Sequence, residues 1–130
     1  MDGITFKGRV VQGEGMATKL GCPTANIRIE EGAIIPALGV YVGSASVDGK
    51  EHPALVCIND GRTGYNLKHE VHLLDESRID LVGKWLEVML LYRIRDLVPY
   101  PGDEKMTTMI QEDIKEAQKW FQNTSGLLAG

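Results

Sequence analysis

The chain has 130 residues, 43% hydrophobic and 25% charged, the balance of one soluble globular domain spanning 1–130. A formal charge of −4 argues against a nucleic-acid partner, which needs a basic surface. No apolar run approaches a membrane span, and Met1-Asp2-Gly3 leads straight into strand-like sequence rather than a signal peptide. Cys22 and Cys57 both sit among apolar neighbours, which fits two buried thiols in a reducing cytoplasm better than a disulfide.

Phe6 to Val11 reads as a first strand, and Gly13 to Gly21 as a glycine-studded loop. Ala25 to Ile29 is a short extended segment, since Pro23 biases its surroundings away from helix. Gly39 to Val47 and Pro53 to Ile58 form a hairpin about Asp48-Gly49, a two-residue turn signal. Asn59-Asp60-Gly61 and Thr63-Gly64 mark a loop, and Lys68 to Leu74 a fifth strand. Lys84 to Arg95 alternates with period two. Leu86, Val88, Leu90, Tyr92 and Ile94 fall on one face, and Trp85, Glu87, Met89, Leu91, Arg93 and Arg95 on the other. From Asp103 to Gln122 the apolar residues Met106, Met109, Ile110, Ile114, Ala117, Trp120 and Phe121 recur at helical spacing. Asp103 is the expected N-cap, and 123–130 a frayed tail. Short antiparallel strands followed by one helix predict a small barrel with the helix packed against it.

Three groups of residues can carry chemistry. The loop Gly13-Glu14-Gly15-Met16-Ala17-Thr18-Lys19-Leu20-Gly21 would let backbone N–H groups approach a phosphate, or it is simply a strand connection. It matches neither the Walker A spacing nor a dinucleotide fingerprint. Thr24 and Asn26 project from one side of an extended segment. Their hard oxygens suit Mg²⁺ brought in with a nucleotide, or they bond the local backbone of a turn. His69 and His72 point to opposite faces of a strand and cannot share an ion. Glu70, on an inward or rim-facing position, is either a general base or a salt-bridged strand residue. Arg93 and Arg95 share a polar face, suited to an anion or planar ring and equally to a solvated rim.

In order along the chain stand Gly8-Arg9-Val10-Val11-x-Gly13, Leu20-Gly21-Cys22-Pro23-Thr24-Ala25-Asn26-Ile27, Pro36-x-x-Gly39-Val40-Tyr41, Glu70-Val71-His72-Leu73-Leu74-Asp75, Asp80-Leu81-x-Gly83, Ile94-Arg95-Asp96 and Ile110-x-x-Asp113. Together they resemble the ATP-dependent riboflavin kinase (flavokinase) family of bacteria and eukaryotes, from the first strand into the final helix. The resemblance implies a mainly β fold, a six-stranded antiparallel Greek-key β-barrel with a C-terminal α-helix. It implies transfer of the γ-phosphoryl of ATP to the 5′-hydroxyl of riboflavin, giving FMN and ADP, with Mg²⁺ or another divalent cation as cofactor. Glu70 is then the catalytic residue that activates the hydroxyl. Thr24 and Asn26 bind the metal and nucleotide, and Gly13, Lys19, Leu73, Asp75 and Val82 complete the nucleotide contacts. Arg95 and Tyr100 fall on the flavin side. A cytoplasmic monomer is expected, without nucleic-acid or membrane partners. The FMN adenylyltransferase domain of bifunctional bacterial relatives has no counterpart here, so no FAD synthesis is expected.

Some residues depart from the family's pattern. Ala17-Thr18 replaces a usual Gly-Arg, and Cys57-Ile58-Asn59 a usual Asn-Ile-Gly. Leu97, Pro99, Tyr100 and Met109 replace Glu, Lys, Phe and Gln. A flavin- or nucleotide-binding barrel without turnover is therefore the alternative expectation.

Overall fold

The computed structural model describes residues 4–12, 24–29, 35–60, 67–75 and 81–129, with side chains described to 124. Its strands are β1 (Ile4–Val11), β2 (Ala25–Ile29), β3 (Gly39–Val47), β4 (Lys50–Asn59), β5 (Lys68–Leu73) and β6 (Trp85–Arg95). They close into an antiparallel barrel in the order β1-β2-β5-β4-β3-β6, and helix α1 (Asp103–Ala129) follows. β3, β4 and β5 are successive neighbours and β6 returns beside β3, the Greek-key order. The glycine loop, with Gly13 and Lys19, lies outside the described residues, as does Cys22. Among the described residues, no helix is long and apolar enough to cross a membrane.

Asp48 and Gly49 take φ of 52° and 77°, the left-handed pair of a type I′ turn, whose twist matches that of its flanking strands. A two-residue turn obliges pairing to start at once, so β4 begins at Lys50 rather than Pro53. Pro53 sits opposite Ser44, and its carbonyl accepts the Leu74 N–H at 2.8 Å.

Alternation along each strand separates two cores. Phe6, Val10, Ile27, Tyr41, Val56, Ile58, Val71, Leu86 and Val88 fill the barrel. On the outside, Val40, Val42 and Leu55 are covered by Ile114, Ala117, Trp120 and Phe121 of α1. The helix thus lies against the side of the barrel and uses the apolar stripe expected of it.

The alternation of β6 breaks where register shifts occur between Val40 and Tyr41 and between Val42 and Gly43 of β3. Leu91 and Ile94 are the extra residues, and each turns the chain over. Leu86, Val88 and Leu90 therefore enter the barrel, while Tyr92 lies outside and stacks on Trp120 at 6.4 Å. Ile94 joins the outer cluster, and Arg93 and Arg95 no longer share a face.

The helix start also differs from expectation. The Gly102 carbonyl accepts the Met106 N–H at 2.9 Å, so Gly102, at φ 105°, occupies the capping position. Asp103 is the first helical residue, where it and Glu104 favour the positive end of the helix dipole. The helix runs on to Ala129 where a frayed tail was expected after Gln122. Propagating an existing helix is easy and needs no apolar stripe.

Two residues test this account. A Cβ at Gly8 would stand 2.0 Å from the Arg28 carbonyl oxygen and 2.7 Å from its carbon. Gly8→Ala must push β1 and β2 apart, and we expect a loss of about 3 kcal/mol or more in urea unfolding. His69 is 4% exposed inside the barrel, edge-on to Phe6 at 5.0 Å, and its Nε2 has no hydrogen-bond partner among the described residues. Burial holds its imidazole below the usual 6.5. The unfolded chain takes up this proton as pH falls through about 6.5 while the native barrel resists it, so stability drops on the acid side. The urea midpoint should fall more between about pH 7.5 and about pH 5.5 in the parent than in His69→Leu; equal falls would remove His69 from the acid response.

Candidate active site

One rank of cross-strand partners runs over the outer surface of the barrel. Val11 of β1 faces Asn26 of β2, Asn26 faces Glu70 of β5, and Glu70 faces Cys57 of β4. Cys57 faces Val40 of β3, which faces Arg95 of β6. Directly opposed residues have Cβ atoms about 5 Å apart, so Asn26 and Glu70 are immediate neighbours. Thr24, one residue ahead of β2, shares the parity of Asn26, and both are half-buried like Glu70.

Glu70 reaches the outside because His69, Val71 and Leu73 go inward. The expectation of an inward or rim-facing carboxylate is corrected by this register: the barrel is packed with side chains, and the polar group sits on its flank. His72 also faces out, opposite Leu55, so the two histidines diverge as expected.

On the β4 side, Asn59 Nδ2 donates to Glu70 Oε2 and to Cys57 Sγ, both at 3.5 Å. Burial pushes the Cys57 thiol up to about 11, Asn59 opposes this, and the Glu70 charge adds to it. Cys57 is therefore a protonated, free thiol.

Arg95 grips Asp113 of α1 through two bonds, Nε to Oδ1 at 2.9 Å and Nη2 to Oδ2 at 2.7 Å. Its Nη1 donates to the Asp96 carbonyl at 3.1 Å. The Asp113 hydrogen bond is the main reason the Arg95 guanidinium is held above its ordinary range. Arg93 turns the other way, with Cζ 5.8 Å from the Tyr41 ring and Nη2 donating to the Leu38 carbonyl at 2.6 Å.

The remaining expected residues are spread around this rank. Asp75, just past β5, accepts a hydrogen bond from the Nδ1 of buried His52 at 2.6 Å. The Leu73 side chain is in the barrel core, so a ligand on the Glu70 face would meet its main chain. Val82 is 56% exposed on a turn that is tied to β1 by Gly83 N–H to Val10 O at 2.8 Å. That turn lies beside Val11, the end of the rank next to Asn26. Tyr100 is 43% exposed in the segment before α1.

Asn26 sets an amide beside the Glu70 carboxylate, and Thr24 shares its parity; their oxygens are of the type that suits a hard cation. Among the described residues no three His, Cys, Asp or Glu side chains gather as a metal cage. A cation at Thr24 and Asn26 would complete its shell with water and phosphate oxygens, as Mg²⁺ commonly does.

The family model described as flavokinase, riboflavin kinase, matches residues 2–121. The chain belongs to the riboflavin kinase family. It is 31% identical over 125 residues to the bifunctional riboflavin kinase/FMN adenylyltransferase of Listeria monocytogenes, covering 90% of this chain and 38% of that protein. Against the enzymes of the same description from Bacillus subtilis and Pseudomonas fluorescens, identity is 30% and 34%, with 91% and 85% of this chain and 39% and 36% of those proteins covered. The chain thus spans less than two fifths of the length of these curated relatives. Among solved structures, a Streptococcus pneumoniae protein described as a macrolide-efflux protein superposes with a TM-score of 0.80 at 25% identity, over 89% of this chain and 38% of that one. The riboflavin kinase of Trypanosoma brucei superposes with a TM-score of 0.66 at 21% identity, over 94% of this chain and 82% of that one, and so shares the fold.

Sequence reasoning missed the Arg95–Asp113 pair, because no local pattern reveals which strand a helix residue will meet. Asp113 is 5% exposed, so its removal leaves a largely covered guanidinium without its partner. We expect Asp113→Ala to cost about 2–3 kcal/mol in urea unfolding. Adding Arg95→Ala to that variant should cost much less than Arg95→Ala alone; additive losses would mean the two do not act as a pair.

Proposed function

We propose that this chain is an active riboflavin kinase, transferring the γ-phosphoryl of ATP to the 5′-hydroxyl of riboflavin to give FMN and ADP. The observation that carries this reading is the cross-strand pairing of Asn26 with Glu70, in a member of this family. The names of its curated relatives, each including riboflavin kinase activity, point the same way.

Phosphoryl transfer asks the protein for in-line positioning and neutralised charge rather than covalent chemistry. In this reading Glu70 accepts the hydroxyl proton as the alcohol oxygen attacks phosphorus, and the bond from phosphorus to the ADP oxygen breaks. Its place on a paired strand fixes its direction, which a loop could not do as well. Thr24 and Asn26 would hold Mg²⁺ or another divalent cation, which when bound offsets phosphate charge. Gly13, Lys19, Asp75, Val82 and the main chain at Leu73 would take the nucleotide. Tyr100 and Arg95 would take the flavin, with Arg95 aimed by its grip on Asp113.

The test is to incubate the protein with riboflavin, ATP and Mg²⁺ and to quantify FMN. We expect turnover in the parent and a loss of about 100-fold or more in Glu70→Gln. Thr24→Ala and Asn26→Ala should raise the Mg²⁺ concentration needed for half-maximal rate. Tight flavin binding without product from the parent would overturn the kinase reading in favour of a binding barrel.

A further inference from the structure

We propose that His52 is a positioning residue for the nucleotide: its buried imidazole holds Asp75, and with it the end of β5, where the nucleotide would sit. This inference rests on the reading of Asp75 as a nucleotide contact. Every strand pairing in the barrel is antiparallel, so β1, β3 and β5 finish at the end where β2, β4 and β6 begin. Thr24 precedes β2, Asp75 follows β5, and the turn bearing Val82 precedes β6. Three residues assigned to the nucleotide through separate motifs thus share one end of the barrel. Arg95 closes β6 at the opposite end.

His52 stands near the start of β4, at the nucleotide end, and points inward with Ala54, Val56 and Ile58. Ala54 pairs with Leu73, so stepping outward along the two strands brings Pro53 to Leu74 and His52 to Asp75. The Pro53 carbonyl accepts the Leu74 N–H at 2.8 Å, but proline has no N–H to return the second bond of a regular pair. The end of β5 loses a main-chain tie there. His52 supplies a side-chain tie one residue further on, Nδ1–H to Asp75 Oδ2 at 2.6 Å. The imidazole N–H donates and the carboxylate accepts, a charge-assisted bond. The His52 side chain is 1% exposed and locked by the core around it, whereas that of Asp75 is 31% exposed and stands at the rim. A fixed donor in the interior therefore sets the place of a rim residue, whichever of its atoms the nucleotide meets.

His52→Leu keeps an apolar body in the core and removes the donor, and His52→Asn puts an amide N–H close to the place of Nδ1. Affinity for Mg²⁺–ADP is read by titration calorimetry, and affinity for riboflavin, at saturating Mg²⁺–ADP, by quenching of flavin fluorescence. We expect His52→Leu to weaken Mg²⁺–ADP about 5–20-fold and to leave riboflavin within about twofold of the parent. His52→Asn should recover part of the loss, and in turnover the KM for ATP should rise while that for riboflavin holds. Asp75→Ala should weaken Mg²⁺–ADP as well, with no further loss on adding His52→Leu. Parental Mg²⁺–ADP affinity in His52→Leu, or additive losses in the double variant, overturns the proposal. Equal losses of nucleotide and flavin also overturn it, since His52 would then merely hold the barrel together. Should His52→Leu not fold, Asp75→Ala breaks the same bond from the rim, and parental Mg²⁺–ADP affinity there is equally fatal. Weakened nucleotide binding in His52→Leu with no FMN from the parent faults only the kinase reading. A parent that binds no Mg²⁺–ADP removes the nucleotide reading and this inference with it.

Discussion

A strand can slide by one residue against its neighbour only by turning every side chain over, and the candidate site depends on that not happening. Glu70 stands beside Asn26 because β5 and β2 pair in one register, with Ala25 opposite Val71. A single-residue slip would send the carboxylate into a barrel lined by Phe6, Val56 and Val71 and bring His69 to the surface. Both changes are costly, since the first buries a charge and the second empties part of the core. The same register is held at two further places. The type I′ turn at Asp48-Gly49 sets β3 against β4, and β1 approaches β2 so closely at Gly8 that no side chain fits. Hydrophobic packing inside the barrel thus aligns polar chemistry on its outside, through nothing more than period two.

The helix connects to this frame through the irregular strand. The extra residue Leu91 in β6 puts Tyr92 on the outer face, where α1 lies, and the second, Ile94, returns Arg95 to that face. Tyr92 stacks on Trp120, and Arg95 bonds Asp113. A regular β6 would have left Tyr92 pointing into an already filled barrel. Bulges of this kind re-aim side chains near functional sites, and here they bring α1 and the Glu70 rank onto one surface.

Much of this was legible in the amino-acid sequence, for reasons that can be stated residue by residue. The bounds of β2 and the hairpin turn followed from Pro23 and Asp48-Gly49, whose backbone restrictions are local. The outward divergence of His69 and His72 followed from strand parity. The helix stripe followed from spacing alone, and the family motifs named the residues that meet on β2 and β5. What stayed hidden is long-range or irregular. Period two cannot announce its own interruption, so Tyr92 was placed on the wrong face. The outward direction of Glu70 required knowing which parity of β5 fills the barrel. Asn59 read as a loop residue, yet it ends β4 and touches Glu70. The last turns of α1 had no apolar stripe to mark them, and the cap fell to Gly102 because its carbonyl, not the Asp103 side chain, closes the first turn.

The charge that Arg95 brings to the rank does not act alone. An uncompensated guanidinium would add a positive charge to the face that carries Glu70. Arg95 is instead matched by Asp113 through two hydrogen bonds. The effect is visible at Cys57, which lies between the two groups: Arg95 lowers its pKa while Asp113 raises it. The thiol remains protonated at neutral pH and so adds no charge of its own beside Glu70. Arg95, two strands beyond Cys57 in the same rank, thus carries its countercharge with it. One ion pair thus both ties α1 to the barrel and neutralises the arginine that the sheet presents to it.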